Sequence, residues 1–446
     1  MYKTIRRRIE RSGSASFRVP YACAMGVAIV LIVSLGAALG GRLDAAAPGA
    51  AASFAAARVG AGAALANLGN CGTCHTASGG KTFAGGRALA TPFGTIHSTN
   101  ITPDPETGIG RWSALDFRRA MQQGIGRDGR QLYPAFPYDH YTHVVDDDVD
   151  AIYAYLMTRE PVRAETSPNR MFVLRPFVGI WKALYFTPGP LLPDPAHDAE
   201  WNRGRYLTEG LAHCGVCHTP RNGFGAEEPG RALDGGSVDG WSAPALDSQS
   251  PAPRPWTVEQ LTTYLATGFD HEHGAAAGAM ASVTQNLSRV PDADVRAIAV
   301  YIAWQMRGAR AEKLAGSSAP SKPTSAAAAE DAVADASRTD VTSGAAIYES
   351  TCAGCHERAR RGIPLALSTT LADTTPANLI RITLDGIMRP EGEKGGIMPA
   401  FRGALDDRQM AALIDYLRTE IAHASAWRDL EREIARARGD RTEHKS

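Results

Sequence analysis

Three stretches of the sequence share one pattern, in which two cysteines are separated by two residues and followed directly by a histidine. They read Cys71-Gly-Thr-Cys74-His75, Cys214-Gly-Val-Cys217-His218 and Cys352-Ala-Gly-Cys355-His356. Of the seven cysteines, only Cys23 lies outside these motifs. One such motif is expected by chance about 0.003 times in a chain of this composition. The three copies therefore indicate one chemical function that is repeated along the chain.

The motif is the attachment pattern of a c-type haem. Its two thiols add to the vinyl groups of haem as thioethers, and the adjacent histidine binds the iron as the proximal ligand. Zinc sites also use paired cysteines but do not require a histidine after each pair. A thioredoxin-like pair should follow a strand of a βαβ unit, and no such pattern surrounds the motifs. The sequence predicts three covalently bound haems c, attached through Cys71, Cys74, Cys214, Cys217, Cys352 and Cys355, with His75, His218 and His356 as proximal ligands.

The composition narrows the class of protein further. The chain has 446 residues, with 47 basic residues balanced by 47 acidic ones. A net charge of zero excludes a nucleic-acid binder that depends on bulk positive charge. The length predicts two to four domains, and a hydrophobic content of 44% excludes a wholly disordered chain.

An uncharged segment between Arg18 and Arg42 is long enough to cross a bilayer. The charged residues before it are mainly basic, which predicts that the N-terminus stays in the cytoplasm and that the rest of the chain is exported. Small residues at 44–47 suit a signal peptidase, so a cleaved signal and a retained anchor both stay open for residues 1–45. The prediction places the haem sites on the periplasmic side of the bacterial cytoplasmic membrane, anchored or peripheral.

The motifs recur at intervals of about 140 residues, which predicts an internal repeat. Each motif is preceded by a short helical pattern and followed, before the next, by an acid-led amphipathic one. This order is typical of a small cytochrome c domain, so the predicted fold is all-α, with three tandem class I cytochrome c domains behind an N-terminal hydrophobic helix. The predicted segments are domains 52–165, 199–308 and 341–424, an apolar connector 166–198, a flexible linker 309–340 and a charged tail 425–446. The connector is expected either to pack between the first two domains or to meet a partner or the membrane interface.

A methionine opposite the proximal histidine raises the reduction potential of a haem. Met280 and Met398 lie in loops before the last helix of their modules and are the predicted sixth ligands, although methionines also fill core gaps. The matching loop of the first module has Phe136 in place of methionine, and His140 is its nearest strong ligand. The other candidates are Met121, Met157 and His97 in the first module and Met388 in the third.

Several longer stretches of the first module carry a family resemblance. They are Gly85-Gly-Arg87, Pro92-Phe-Gly-Thr-Ile, the segment Ser98 to Gly110, Trp112-Ser and Asp116-Phe-Arg-Arg-Ala120. With these, the chain from Gly69 to about Leu417 resembles the three-haem cytochrome c subunits of membrane-bound bacterial alcohol, aldehyde, gluconate and nicotinate dehydrogenases. The loop Tyr133-Pro-Ala-Phe136-Pro-Tyr138 is more similar to the branch that serves molybdenum hydroxylases of the nicotinate or aldehyde type than to the alcohol-dehydrogenase branch.

The resemblance implies a non-catalytic electron-transfer subunit. A catalytic dehydrogenase subunit would supply the electrons, ubiquinone or a terminal oxidase would accept them, and the cytoplasmic membrane would be a further partner, with no role for nucleic acid. An autonomous haem enzyme such as a peroxidase and a freely diffusing periplasmic shuttle are the alternative functions.

Overall fold

The computed structural model describes residues 54–315, 343–358, 362–388 and 396–443. The predicted signal or anchor at residues 1–45 lies outside these ranges, as does most of the predicted linker. Within the described ranges, no helix has both the length and the hydrophobicity that crossing a bilayer requires.

Module 1 surrounds the first motif with helices and one small antiparallel sheet. Its helices are α1 (Ala56–Leu68), α2 (Cys71–Cys74), α3 (Ala114–Gln123), α4 (Tyr138–Tyr141) and α5 (Asp146–Met157). Strands β1 (Ala88–Thr91) and β2 (Gly94–His97) form a hairpin, to which β3 (Arg170–Met171) of the connector adds a third strand. The connector continues as helix α6 (Arg175–Tyr185).

Module 2 repeats this order around the second motif. Its helices are α7 (Ala199–Tyr206), continued by a π-helical turn at Leu207–Leu211, α8 (Gly215–His218), α9 (Val258–Thr267), α10 (Ala279–Leu287) and α11 (Asp292–Ala315). Its hairpins pair β4 (Gly236–Val238) with β5 (Trp241–Ala243) and β6 (Phe269–Asp270) with β7 (Gly274–Ala275). Helix α11 extends beyond the predicted domain end and takes up the first residues of the predicted linker.

Module 3 is the most purely helical of the three. Its helices are α12 (Gly344–Thr351), a π-helical turn at Gly354–Arg358, a 3-10 turn at Leu365–Leu367, α13 (Thr369–Ala372), α14 (Ala377–Asp385), α15 (Asp407–Tyr416) with a π-helical turn at Leu417–Ile421, and α16 (Leu430–Glu443). The prediction of an all-α cytochrome fold is confirmed, with short hairpins added in the first two modules.

The first helix of each module crosses a later helix of the same module (α5, α11 or α15) at a glycine. A methyl group at that glycine would fall on a backbone carbonyl oxygen of the later helix, and a carbonyl cannot move aside without separating the helices. The glycine and carbonyl pairs are Gly62 with Ala151 (1.9 Å), Gly204 with Ala297 (2.0 Å) and Gly344 with Ala412 (2.1 Å). The same helix crossing, with a glycine at the point of contact, thus occurs in all three modules.

Replacing Gly62 with alanine should lower the free energy of unfolding by at least about 2 kcal/mol, because the added methyl group overpacks the crossing. Gly60 lies on the same helix with no atom within 4 Å of an added methyl group. Gly60→Ala should therefore be neutral or stabilising by up to about 1 kcal/mol, as expected from helix propensity. Denaturant unfolding of the haem-loaded protein measures both, and equal effects would contradict the crossing argument.

The helices before the distal loops have strong start and stop signals. Ser113 and Asp116 form a capping box at the start of α3, and Thr257 and Gln260 form one at the start of α9. Each helix ends at a glycine in the left-handed region, of which Gly124 is the first example, with a φ of 60°. These signals fix where each distal loop begins.

Modules 1 and 2 share one hydrophobic core, which includes the buried Ile152 of module 1 and Leu207 and Ile298 of module 2. Module 3 has its own core. The predicted charged tail contributes to that core, because Ile434 of α16 is fully buried against it. Helix α16 is therefore docked on module 3 instead of standing free in solvent.

Candidate haem sites

The six motif cysteines form no disulfides. Burial raises the pKa of Cys71 and that of Cys214 to about 12, which keeps both thiols protonated. Within the described residues, three potential metal-ligand atoms lie within 4.8 Å of one another only at Asp139, His140 and Glu227. The cysteines and histidine of a motif thus do not converge on one point, as the ligands of a zinc ion would.

The three motif histidines are held in the same way. The Nδ1–H of His75 donates to Thr99 O at 2.7 Å, that of His218 to Pro244 O at 2.7 Å and that of His356 to Ile363 O at 3.0 Å. A hydrogen bond at Nδ1 fixes the tautomer and leaves Nε2 to bind a metal. Burial also lowers the pKa of His75 and His218, which favours the neutral imidazole that iron requires.

All three motifs line one connected cavity of about 2550 Å³. Its wall includes Cys74, Cys217 and Cys355, one cysteine from each motif, together with Met280 and Met398. A pocket for one small ligand typically measures roughly 300–1,000 Å³. The cavity is therefore large enough for several large cofactors, and the donor set at its wall fits haem.

Met280 and Met398 occupy fixed positions at this wall. Met280 lies in the first turn of α10, after Gly278, whose φ of 55° allows close packing against the ring of Trp241. The backbone of Met398 forms two hydrogen bonds with Ile387. Met388, the alternative in module 3, is largely exposed.

The first module has phenylalanine at the position of Met280. The bridge between Ile125 and Gln131 matches the pairing of Phe269 with Ala275 in module 2. Counting five residues onward from Gln131 and from Ala275 leads to Phe136 and to Met280. The structure thus places the ring of Phe136 in module 1 at the position where module 2 has the methionine side chain of Met280.

The structure does not bring His140 to the cavity. Its Nδ1–H donates to Glu209 O at 2.7 Å and its Nε2–H donates to Glu227 Oε1 at 2.8 Å, so both ring nitrogens are occupied. Although burial alone would lower the pKa of His140, the hydrogen bond and charge of Glu227 raise it. The ring also packs against Gly215 of the second motif. This arrangement argues against His140 as the sixth ligand of the first iron and gives it a role between modules 1 and 2.

The other candidates in module 1 belong to the core or to the β1–β2 hairpin. Met121 is buried in the shared core, and Met157 packs against that core. His97 ends strand β2 and pairs with Ala88 of strand β1. Within the described chain, none of these three candidates is part of the cavity wall.

The first two motifs lie close together, which the sequence did not indicate. Gly69, two residues before Cys71, packs against the side chain of Leu211, three residues before Cys214. His213, directly before the second motif, lines the cavity, and its ring lies 5.5 Å from that of Tyr141 in module 1. Burial lowers the pKa of His213 to about 4, so the imidazole is neutral. In the sequence, only its position next to Cys214 indicated that His213 lies near the second site.

Module 2 also contacts module 3 beside the cavity. The backbone N–H of Ser242 donates to Asn378 Oδ1, and Asn378 Nδ2 donates back to Ser242 O, each at 2.9 Å. Arg381 Nε donates to Gly240 O at 2.8 Å. The hairpin that carries Trp241 thus joins the wall of the second site to helix α14 at the third.

The repeated helix crossing, the histidine geometry and the shared cavity define a multidomain c-type cytochrome. The sequence profile of the family "Cytochrome c" matches residues 59–160, and that of "Cytochrome C oxidase, cbb3-type, subunit III" matches residues 339–417. The chain belongs to the family of cytochrome c subunits of bacterial dehydrogenases, as its similarity to curated members of that family shows.

Those members cover most of the chain. It is 37% identical to the fructose dehydrogenase cytochrome subunit of Gluconobacter japonicus, over 81% of this chain and 79% of that protein. It is 35% identical to the gluconate 2-dehydrogenase cytochrome c subunit of Pantoea cypripedii, over 85% of this chain and 89% of that protein. It is 43% identical to a subunit of the nicotinate dehydrogenase of Pseudomonas putida over 88% of this chain, which spans only 33% of that longer protein.

Proposed function

We propose that this chain is the electron-transfer subunit of a periplasmic dehydrogenase complex and that it binds three haems c. The observation that carries the proposal is the single cavity lined by all three motifs. Separate, distant sites would suit three independent functions, whereas one connected cavity suits a relay. Asn286 of module 2 donates to Thr73 Oγ1 of the first motif at 3.1 Å, and Ser242 of module 2 donates to Asn378 of module 3. These contacts give the relay continuity from module 1 to module 3.

The residues of each proposed site have different roles. The two cysteines of a motif would hold the cofactor covalently, and the motif histidine would offer Nε2 to the iron because its Nδ1 is bound to a carbonyl oxygen. Met280 and Met398 would offer their sulfur atoms to the irons of the second and third sites. Haem c supplies one-electron redox chemistry at its iron. The apolar wall of the cavity limits the access of water, which tunes the reduction potential.

The partner proposed is a catalytic dehydrogenase of the nicotinate or aldehyde type. Two observations support it: the similarity to a nicotinate dehydrogenase subunit, and Phe136 in the loop where the alcohol-dehydrogenase branch has methionine. The proposed acceptor is ubiquinone or a terminal oxidase, and the proposed location is the periplasmic face of the cytoplasmic membrane. The chain itself does not act on the organic substrate.

Mass spectrometry of the denatured chain, after periplasmic expression, should show three covalent haem additions, because all six cysteines and three histidines of the motifs are intact. Two additions or none would contradict the proposal. When the chain is purified with its catalytic partner, the partner's substrate should then reduce all three haems, as followed by absorption spectra. Failure of that reduction in a fully loaded complex would exclude the relay function.

A further inference from the structure

One group of potential metal ligands lies outside the haem cavity, where module 1 meets module 2. A ring nitrogen of His140 and one carboxylate oxygen each of Asp139 and Glu227 lie within 4.8 Å of one another. The described wall of the haem cavity includes none of these three side chains. Haem bound in the cavity therefore does not account for their arrangement.

The fold holds all three residues in place. Asp139 and His140 belong to helix α4, and Glu227 pairs with Arg221 in a short antiparallel bridge that follows the second motif. The Nδ1–H of His140 donates to Glu209 O at 2.7 Å, which is the kind of contact that also orients the three motif histidines. A histidine that is fixed in this way can offer Nε2 to a metal ion.

The distance between His140 Nε2 and Glu227 Oε1 is 2.8 Å, close to the distance between two ligands of one metal ion. Two donors at about 2.0–2.1 Å from a tetrahedral zinc ion lie roughly 3.3 Å apart, so the two side chains need to separate by only about 0.5 Å. The ion would replace the proton that Nε2 donates to Glu227, and that proton would be released to solvent.

Asp139 Oδ1 is the atom that most directly indicates a bound cation. This oxygen is buried and has no hydrogen-bond partner within the described part of the chain. Burial raises the pKa of Asp139, and the positive charges of His140 and Arg221 offset that rise only in part. Because buried carboxylates are normally paired or coordinate metals, a divalent cation would supply the partner that Oδ1 lacks.

Arg221 does not already fill this role. Its Nη2 lies 3.6 Å from Glu227 Oε1, which is longer than a hydrogen bond. Its Nη1 donates to Gly225 O at 2.6 Å, and its Nη2 donates to Val216 O at 3.0 Å. The guanidinium is thus held by backbone carbonyls, which leaves lone pairs of Glu227 for a metal ion.

We propose that Asp139, His140 and Glu227 bind one divalent transition-metal ion, for which zinc is the best fit. One imidazole and two carboxylates are suitable donors for zinc, with water at the fourth position. The two carboxylates balance the charge of the ion. The metal joins module 1 to module 2 beside Gly215 of the second motif, because His140 and Glu227 both pack against that glycine. The proposal does not depend on the proposed electron-transfer function.

Zinc binding to the full, haem-loaded chain tests this site. The protein is treated with a chelator and dialysed against Zn²⁺, its zinc content is measured by inductively coupled plasma mass spectrometry, and its affinity is measured by competition with a zinc-sensitive dye. One zinc ion should bind per chain. Glu227→Gln and Asp139→Asn should each weaken binding by at least about 100-fold, because loss of an outer-shell partner alone costs about 10- to 100-fold.

Glu228→Gln is the matched control, since Glu228 follows Glu227 in the chain but pairs with Arg231. Its zinc affinity should equal that of the unaltered chain, and equal absorption spectra should show that all variants are folded and loaded with haem. Zinc K-edge absorption should show nitrogen and oxygen ligands at about 2.0–2.2 Å. A chain that binds no zinc, an affinity that Glu227→Gln leaves unchanged, or sulfur at about 2.3 Å among the ligands would overturn the proposal. Substrate-driven haem reduction in the complex tests the proposed function separately.

Discussion

Met280→His should lower the reduction potential of the second haem by about 0.2 V, a quarter of the roughly 0.8 V range that axial ligands span. Methionine opposite histidine raises the potential, and a second imidazole removes that effect. At about 59 mV per tenfold change for one electron, the equilibrium for reducing this site shifts by more than three orders of magnitude. Because module 2 contacts module 1 through His140 and Glu227 and module 3 through Ser242 and Asn378, passage of electrons through the chain should slow strongly.

A potentiometric titration followed by absorption spectra measures this shift. Met306→Leu is the matched control, because Met306 lines the same cavity in module 2 but is not a proposed ligand. Its substitution conserves volume and should leave all three potentials nearly unchanged. An unchanged second potential in Met280→His, or an equal shift in Met306→Leu, would show that the sulfur of Met280 does not bind the iron.

The sequence predicted the structure well where a local structural requirement can be met by only one residue type. The cysteine and histidine spacing predicted the attachment sites, and the acid-led amphipathic stretches predicted helices α5, α11 and α15. The sequence shows the glycines at the crossings, such as Gly62 and Gly204, but not why glycine is required there. The requirement comes from a backbone carbonyl that is distant in the sequence. Such a contact becomes evident only when the two helices are placed together.

The sequence was least informative about contacts between modules. His140 is a strong ligand in a distal loop, yet Glu227 of module 2 is its partner. Ile434 belongs to a strongly charged helix, yet it completes the core of module 3. In both cases local pattern describes the residue correctly, and tertiary packing decides what it contacts. The same holds for His213, whose neighbour Tyr141 comes from another module.

The first haem should have the lowest potential of the three, because Phe136 stands where methionine would raise it. Phe136→Met should therefore raise the potential of this site by about 0.2 V, within the range that axial ligands span, and should add the charge-transfer band of an iron–methionine bond to the oxidised spectrum. The ring of Phe136 now packs against Tyr141, with 5.3 Å between centroids, and an unbranched methionine can fill the same space.

Phe136→Leu is the control, since it removes the ring without adding sulfur and should leave the potential nearly unchanged.

His140→Ala tests whether His140 is the sixth ligand of the first haem. Because both ring nitrogens of His140 already donate hydrogen bonds, this variant should leave the low-temperature EPR signal of the first haem intact and instead weaken the contact between modules 1 and 2. Losing a part-buried hydrogen bond to a charged group costs about 1.5–3 kcal/mol, so denaturant unfolding should detect the loss. Loss of a bis-histidine EPR signal in His140→Ala would show instead that His140 leaves Glu227 to bind the iron.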